Sequence, residues 1–229
     1  MTLHMVIDGV YDSDMLLAVE DRPALSNPNY EFESDYVDGR NGSLSRLKYI
    51  KDVTQKVKFN MLEDFNVKEK LRHIKSWLFN CKKIRFDDDI VYRKVKYVEI
   101  GDIDNEIAEY GSFEVSFVCD PFEYHVGNDE VTIVKDGIIF NRGTIYSLPK
   151  LEIMGSGEGV VTINDQAIEL NLTVEHAYID SEIQEIYKDD TNLGLSMVGD
   201  FPRLKPGQND IEISGDFDTV KFNVRERYL

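Results

Sequence analysis

A chain of 229 residues, 42% hydrophobic and 30% charged, is long enough for one large β domain or two small ones. Its net charge of −17, with a pI near 4.6, argues against nucleic-acid binding and against attachment to anionic membranes. The longest uninterrupted apolar run, Met15 to Val19, falls far short of the roughly 20 residues of a membrane-spanning helix.

No basic stretch followed by an apolar core and a cleavage site opens the chain, so no secretory signal is expected. Two cysteines, Cys81 and Cys119, make no disulfide framework and are expected as partly buried free thiols of a protein made in a reducing cytoplasm. The charge is laid out in blocks. Residues 1–39 carry −8, residues 40–96 carry +9, residues 97–125 carry −8 and residues 126–229 carry −10. Either neighbouring elements pair these charges within one domain, or a basic face meets an acidic face on another copy. Heterologous contacts of the second kind close into rings.

In chain order, the first informative stretch is Val19 to Ser43. Pro23 and Pro28 bracket a loop. A strand follows, with Tyr30, Phe32 and Tyr36 on one face and Glu31, Glu33 and Asp35 on the other. Asp38-Gly39-Arg40-Asn41-Gly42 has hairpin-turn chemistry, and the returning strand carries Arg46 and Lys48. A register pairing Asp35 with Arg46 and Glu33 with Lys48 would set opposite charges across the ladder. The expectation is a two-stranded arm suited to contact with another polar surface. Its candidate interface residues are Glu33, Asp35, Arg40, Arg46 and Lys48. If those charges are spent on each other, contact falls to Tyr30, Phe32 and Tyr36 or to the basic helix.

That helix is expected over residues 66–80. Val67, Leu71, Ile74 and Leu78 form its apolar stripe, and Asn66 with Glu69 makes a capping box. Lys68, Lys70, Arg72 and Lys75 are available to its polar side, and Trp77 is a core or interface anchor. Ile84 to Ile100 reads as strand. So does the alternation of Phe113, Val115, Phe117 and Cys119, which Asp120-Pro121-Phe122 is expected to end. Beyond about residue 128 only short strands and turns follow. These include a hairpin turning at Asn164-Asp165-Gln166, a helical turn within 181–188, and a last pair of strands around Gly215. The expected fold is mainly β, with two β-sandwich domains spanning 1–128 and 129–229.

No catalytic constellation stands out. His4, His73, His125 and His176 lack metal-ligand spacing to one another or to a cysteine. Asp87-Asp88-Asp89 lacks the glycine and distal glutamate of a calcium loop and reads as a solvated turn. The Gly155-Ser156-Gly157-Glu158-Gly159 run has neither the Lys-Ser/Thr nor the helix of a phosphate loop, and reads as a turn between strands. No metal, cofactor or catalytic residue is assigned, and no enzymatic activity is expected.

The joint order of several short motifs resembles the distal tail proteins of long, non-contractile-tailed bacteriophages, the siphophage tail-component family. The motifs are Leu17 to Pro23, Val37 to Gly42, Ile74 to Leu78, Phe117 to Tyr124, Asn141 to Thr144, Pro149 to Gly157, Ile179 to Glu182, Gly199 to Asn209 and Arg227 to Leu229. The resemblance implies an N-terminal ring-forming β-sandwich with a hairpin arm and a helix, and a C-terminal galectin-like sandwich outside it. It implies a homohexamer, single or stacked, with a central channel. The ring would sit at the virion's tail tip, after synthesis in the host bacterial cytoplasm. It would join the tail-tube protein to the tail-tip or tail-associated lysin protein, with receptor-binding protein as a further partner and DNA only in transit. The alternative is a carbohydrate-binding module acting through residues 129–229. Longer relatives insert such modules there, and the hundred or so residues of this half leave no room for one.

Overall fold

The computed structural model describes residues 3–62, 67–102, 104–107, 110–127 and 130–229. It is mainly β, as expected, and divides into two compact units, one running to Tyr124 and joined by Leu229, the other His125–Tyr228. The expected boundary at residues 128 and 129 lies outside the described residues, as does Asn66 of the expected capping box.

The first unit contains β1 (Met5–Ile7), β2 (Val10–Tyr11), β3 (Leu17–Val19), β4 (Tyr30–Asp35), β5 (Leu44–Ile50), β6 (Val53–Leu62), helix α1 (Val67–Phe79), β7 (Lys83–Phe86), β8 (Val91–Ile100), β9 (Asp104–Ile107) and most of β10 (Tyr110–His125). Its main sheet runs β2-β1-β7-β8-β10-β6-β3, with β9 beside β10. Period-two patterning dictates which residues turn inward. Phe113, Val115, Phe117 and Cys119 of β10 face the core with Val57, Phe59 and Met61 of β6. The register sets Phe113 against Phe59 and Val115 against Val57. Helix α1 closes this core as its stripe predicts: Ile74 and Leu78 are fully buried, while Leu71 and Trp77 pack against the cluster. Truncating Ile74 or Leu78 to alanine would cost about 2–5 kcal/mol.

Two expectations change in this unit. Strand β10 runs through Pro121 to His125 instead of ending at Asp120. Its ladder with β6 stops at the Cys119–Val53 pair, so the missing proline N–H breaks no bond on that side. The Asp87–Asp89 turn is engaged rather than simply solvated. Asp87 Oδ1 accepts the His4 backbone N–H at 3.0 Å, and Asp88 pairs with Arg22 at 2.6 Å.

The second unit contains β11 (Glu130–Ile133), β12 (Asp136–Asn141), β13 (Lys150–Ile163), β14 (Gln166–Leu172), β15 (His176–Asp180), β16 (Glu185–Lys188), β17 (Thr191–Asn192), β18 (Met197–Val198), β19 (Gly207–Asn223) and β20 (Arg227–Tyr228). Strands β13 and β19 pair along nearly their whole length; β11, β12, β14 and β15 pair with one or the other, β16, β17 and β18 extend the sheet from β14 and β15, and β20 pairs with β10 instead. Beside the first half of β13 lie β15 and β16, and beside its second half lies β14. Leu151 and Ile153 from one half share a core with Val161 and Ile163 from the other, so the sheet folds over onto itself.

The fold-over is made by the glycine run. Gly155–Gly159 is a bend inside β13, not a turn between strands, and Gly215 is a bend inside β19, not the joint of a strand pair. Gly155 and Gly157 adopt φ of +116° and +118°, and Gly215 adopts +91°. The ladder slips between Met154 and Gly159, skipping Asp218 opposite Gly155. A sheet can take such a bulged corner only where side chains are missing. A further change is at residues 181–184, which form a non-helical turn leading into β16. The expected hairpin is present, with Ile163 opposite Gln166 and Asn164 at φ +55°.

Several residues of the short motifs tie strand ends together. Asn209, fully buried, exchanges bonds with the backbone of Lys205, its Nδ2 donating to the carbonyl at 2.9 Å and its Oδ1 accepting the N–H at 2.9 Å. Asn141 Nδ2 donates to the Leu204 carbonyl at 2.9 Å. Arg225 clamps Asp180 with two bonds of 2.6 and 2.8 Å. Burial pushes the Asp180 carboxyl up, but Arg225's bonds and charge, with backbone N–H groups, overrule it and hold the carboxyl below its ordinary value.

Candidate functional site

The arm is the feature of the first unit that its core does not explain. Strands β4 and β5 form a two-stranded sheet of their own. Isolated ribbons of this kind are marginal in water. One face carries Tyr30, Phe32 and Ser34 opposite Ile50, Leu47 and Ser45, and the other carries Glu31, Glu33 and Asp35 opposite Tyr49, Arg46 and Leu44. The Tyr30 and Phe32 rings stack at 6.3 Å.

The observed register differs by two residues from the charge-pairing one expected. Glu33 pairs with Arg46 at 2.7 Å, and Glu31 with Lys51 at 2.5 Å. Neither Asp35–Arg46 nor Glu33–Lys48 is a cross-strand pair. A slip of two keeps each side chain on its face. It sets Phe32 against Leu47 and Ser34 against Ser45, whose hydroxyls meet at 3.2 Å. The expected register would have set Ser34 against Leu47. The observed register keeps two charge pairs and adds the Phe32–Leu47 and Ser34–Ser45 pairs; exposed ion pairs, worth only about 0.2–1 kcal/mol each, do not select a register by themselves.

Of the candidate interface residues, Glu33 and Arg46 are thus joined to each other. Asp35 lies opposite Leu44 at the strand end. Lys48 is the extra residue of a bulge between Leu47 and Tyr49. Arg40 is exposed in the tip, its backbone N–H donating to the Val37 carbonyl at 3.1 Å, between Gly39 and Gly42 at φ +82° and +80°. Tyr36 stands beyond the end of β4 and is exposed. The bond from Lys51, and then its charge, lowers the Glu31 carboxyl below its ordinary value, and the bond to Glu31, and then its charge, raises the Lys51 amine.

Sequence reasoning missed the large apolar residues of the returning strand, which the bulge at Lys48 divides between the two faces of the ribbon. Phe32 is 57% exposed, and Leu44, Leu47 and Tyr49 are 45%, 47% and 52% exposed. Leu47 and Tyr49 alternate with Arg46 and Lys48 in the sequence, but alternation alone would put both on one face, and the bulge at Lys48 separates them. A cluster of large apolar side chains on a two-stranded ribbon is the mark of a surface meant to be covered.

The block charges are largely met inside the unit. Glu20–Lys58, Arg22–Asp88, Lys56–Glu114, Lys96–Asp52, Lys96–Asp120 and Arg93–Glu123 all join basic residues to acidic ones. Both thiols are buried, and burial pushes each up to about 12, which makes both poor nucleophiles. His73 is exposed on α1. Among the described residues, no cluster of three or more His, Cys, Asp or Glu could hold a metal, and no helix is long and apolar enough to cross a membrane.

No protein-family model matches the sequence, and comparison with curated proteins finds no match. Two structures of the phage P2 baseplate in its activated conformation, one with Ca and one with Sr, align over 96% of this chain at 10% and 11% identity, covering 98% and 97% of theirs. Their TM-scores of 0.48 are too low to bear on the fold. A stronger match is the SPP1 Dit (gp 19.1) protein, described as a paradigm of hub adsorption apparatus in Gram-positive infecting phages, with a TM-score of 0.74 at 16% identity and 100% coverage of both chains. The resemblance to siphophage distal tail proteins carried by the motifs holds for the fold: over its whole length this chain has the fold of a phage hub protein.

Proposed function

We propose that this protein is a structural component of a siphophage tail tip, a hub whose first domain, residues 1–128, assembles six copies into a ring around an open channel. The observation that carries this reading is the arm. Tyr30, Phe32 and Leu47 form an apolar strip with no core beneath it, and a neighbouring copy is the surface that would cover it. An arm face laid on a different patch of the next copy is a heterologous contact, which closes into a ring when the rotation allows. Glu33, Asp35, Arg40, Arg46 and Lys48 would then form the polar rim that sets register, with the apolar strip supplying most of the affinity. The full-length fold match to a phage hub protein supports the same reading.

In this role the ring joins the tail-tube protein above to the tail-tip or tail-associated lysin protein below, with receptor-binding protein as a further partner. The second domain, residues 129–229, is the galectin-like outer domain. DNA is met only in transit, and a protein of net charge −17 repels it rather than traps it. The hub is a virion component with a mechanical and organising role, not a catalyst. Native mass measurement of the purified protein tests the proposal: hexamers or stacked hexamers are expected, and a monomer persisting at high concentration and low salt would overturn it.

A further inference from the structure

Strand β12 leaves one edge of the second unit's sheet open. It pairs with β19 on one side and, among the described residues, with no strand on the other. The register decides which backbone groups lie on the open side. Asp210 of β19 turns its backbone to Asn164, whose N–H donates to the Asp210 carbonyl at 2.8 Å and whose Oδ1 accepts the Asp210 N–H at 3.2 Å. Backbone groups alternate sides along a strand, so Asn209 and Ile211 turn theirs to β12, where they stand opposite Ile139 and Gly137. The Ile213 N–H, donating to the Lys135 carbonyl at 2.6 Å, continues the same alternation. The N–H and C=O groups of Ile138 and Phe140 therefore point out of the sheet.

An unpaired ladder is a template for another chain, and sheet edges are usually guarded by shortness, lysine, proline or a bulge. Strands β17 and β18, at other margins of this sheet, have two residues each. β12 has six, from Asp136 to Asn141, with no lysine or proline and no register shift against β19. Its outward side chains are apolar: Ile138 is 61% exposed and Phe140 63%.

The charge on the same face says what would pair there. Asp136 lies directly opposite Glu212, and Ile138 opposite Asp210. Like charges facing each other across a ladder destabilise it. Arg142, just beyond β12, is committed to Glu226 at 3.0 Å, and neither Asp136 nor Glu212 joins an ion pair with Lys135 or any other base among the described residues. A cleft of 470 Å³ opens beside these residues, lined also by Thr162 and Asn164. A second copy of this acidic edge would add negative charge to the face, whereas a basic strand would relieve it.

We propose that β12 is a docking edge for an extended, basic segment of another protein, which joins the sheet as one more strand. Its backbone bonds to Ile138 and Phe140, its apolar side chains cover theirs, and a lysine or arginine reaches Asp136 and Glu212. The proposal stands on the second unit alone and does not depend on ring formation.

The test uses the full chain and three labelled peptides of about ten residues, read by fluorescence anisotropy. The first alternates lysine with valine. The second has glutamate in place of lysine. The third is the first methylated at every backbone nitrogen, which keeps the charge and removes every ladder donor. The first should bind with a dissociation constant below about 1 mM and weaken as salt rises, and the other two should bind at least about tenfold more weakly. Ile138→Lys places a guarding charge on the edge and should weaken the first peptide at least about tenfold, with the melting temperature unmoved because the position is exposed. Glu212→Gln should also weaken it, with the melting temperature equal or higher, and covers the case in which Ile138→Lys misfolds. No binding of the first peptide, equal binding of the methylated one, or binding unchanged in both variants overturns the proposal. The oligomer mass of Ile138→Lys should equal that of the parent protein, whatever that mass is. A lower mass would make a second copy the occupant of the edge and overturn the proposal as well.

Discussion

Gly159 and Gly215 are paired across β13 and β19 so closely that a Cβ on Gly215 would lie 2.5 Å from the Gly159 Cα. This is the corner where the second unit's sheet folds over its own core. Gly215 also sits at φ +91°, where a side chain is strained whatever the space. Gly215→Ala is therefore expected to destabilise the second unit by about 2–5 kcal/mol, combining backbone strain with overpacking. Urea unfolding followed by far-ultraviolet circular dichroism checks it. An unchanged midpoint would mean that the corner can open without cost.

The arm makes a separate prediction. Phe32→Ser with Leu47→Ser removes exposed apolar surface, so the melting temperature of the isolated subunit should barely move. Association should weaken by about 2 kcal/mol or more, roughly thirtyfold, if these side chains are interface anchors. Sedimentation velocity over a dilution series reads the change directly.

Arg46→Glu tests the polar rim. The Glu33–Arg46 pair is exposed, so folding stability should fall by no more than about 1 kcal/mol. Assembly should weaken with a clear salt dependence, and the double swap Glu33→Arg with Arg46→Glu should restore folding stability. Assembly identical to that of the parent protein would remove the polar rim from the interface and leave the apolar strip as the contact.

The Asp180–Arg225 clamp predicts an acid limb. The folded Asp180 carboxyl is held below its ordinary value, so its contribution is fully present above that value, 3.8. It is lost as pH falls from there through the depressed folded value. Asp180→Asn should cost about 2–4 kcal/mol at pH 7, because it leaves the partly buried Arg225 guanidinium with only its longer, 3.4 Å contact to the Glu182 carboxylate. The gap between variant and parent should narrow below about pH 4. Urea titrations at pH 7, 5, 4 and 3 provide the measurement.

Cys81 and Cys119 sit in the first unit's core with their thiols pushed up to about 12 by burial. Iodoacetamide at pH 8 should therefore leave both unmodified in the native protein and label both in urea. Rapid native labelling, read by mass spectrometry, would show that the core opens far more often than its packing implies.

Much of the first unit was legible because its elements obey simple periods. The α1 stripe of Leu71, Ile74 and Leu78 and the β10 alternation from Phe113 to Cys119 both point to the core they occupy. What failed was local punctuation read without tertiary context. Pro121 looked like a stop but sits beyond the end of its β6 partner. Gly155 to Gly159 and Gly215 looked like turns, yet they mark one corner shared by two long strands, a relationship between residues some sixty positions apart. The arm's existence was legible from its turn glycines. Its register was not, because two different registers both pair opposite charges and the bulge at Lys48 that shifts the ladder leaves no signal in the sequence.

The central claim is assembly, and images of the purified full-length protein test it most directly. Negative-stain class averages should show six-fold rings with an open central hole, lost in the Phe32→Ser, Leu47→Ser variant. Particles without a ring at high protein concentration and low salt, from protein shown to be folded, would contradict the account.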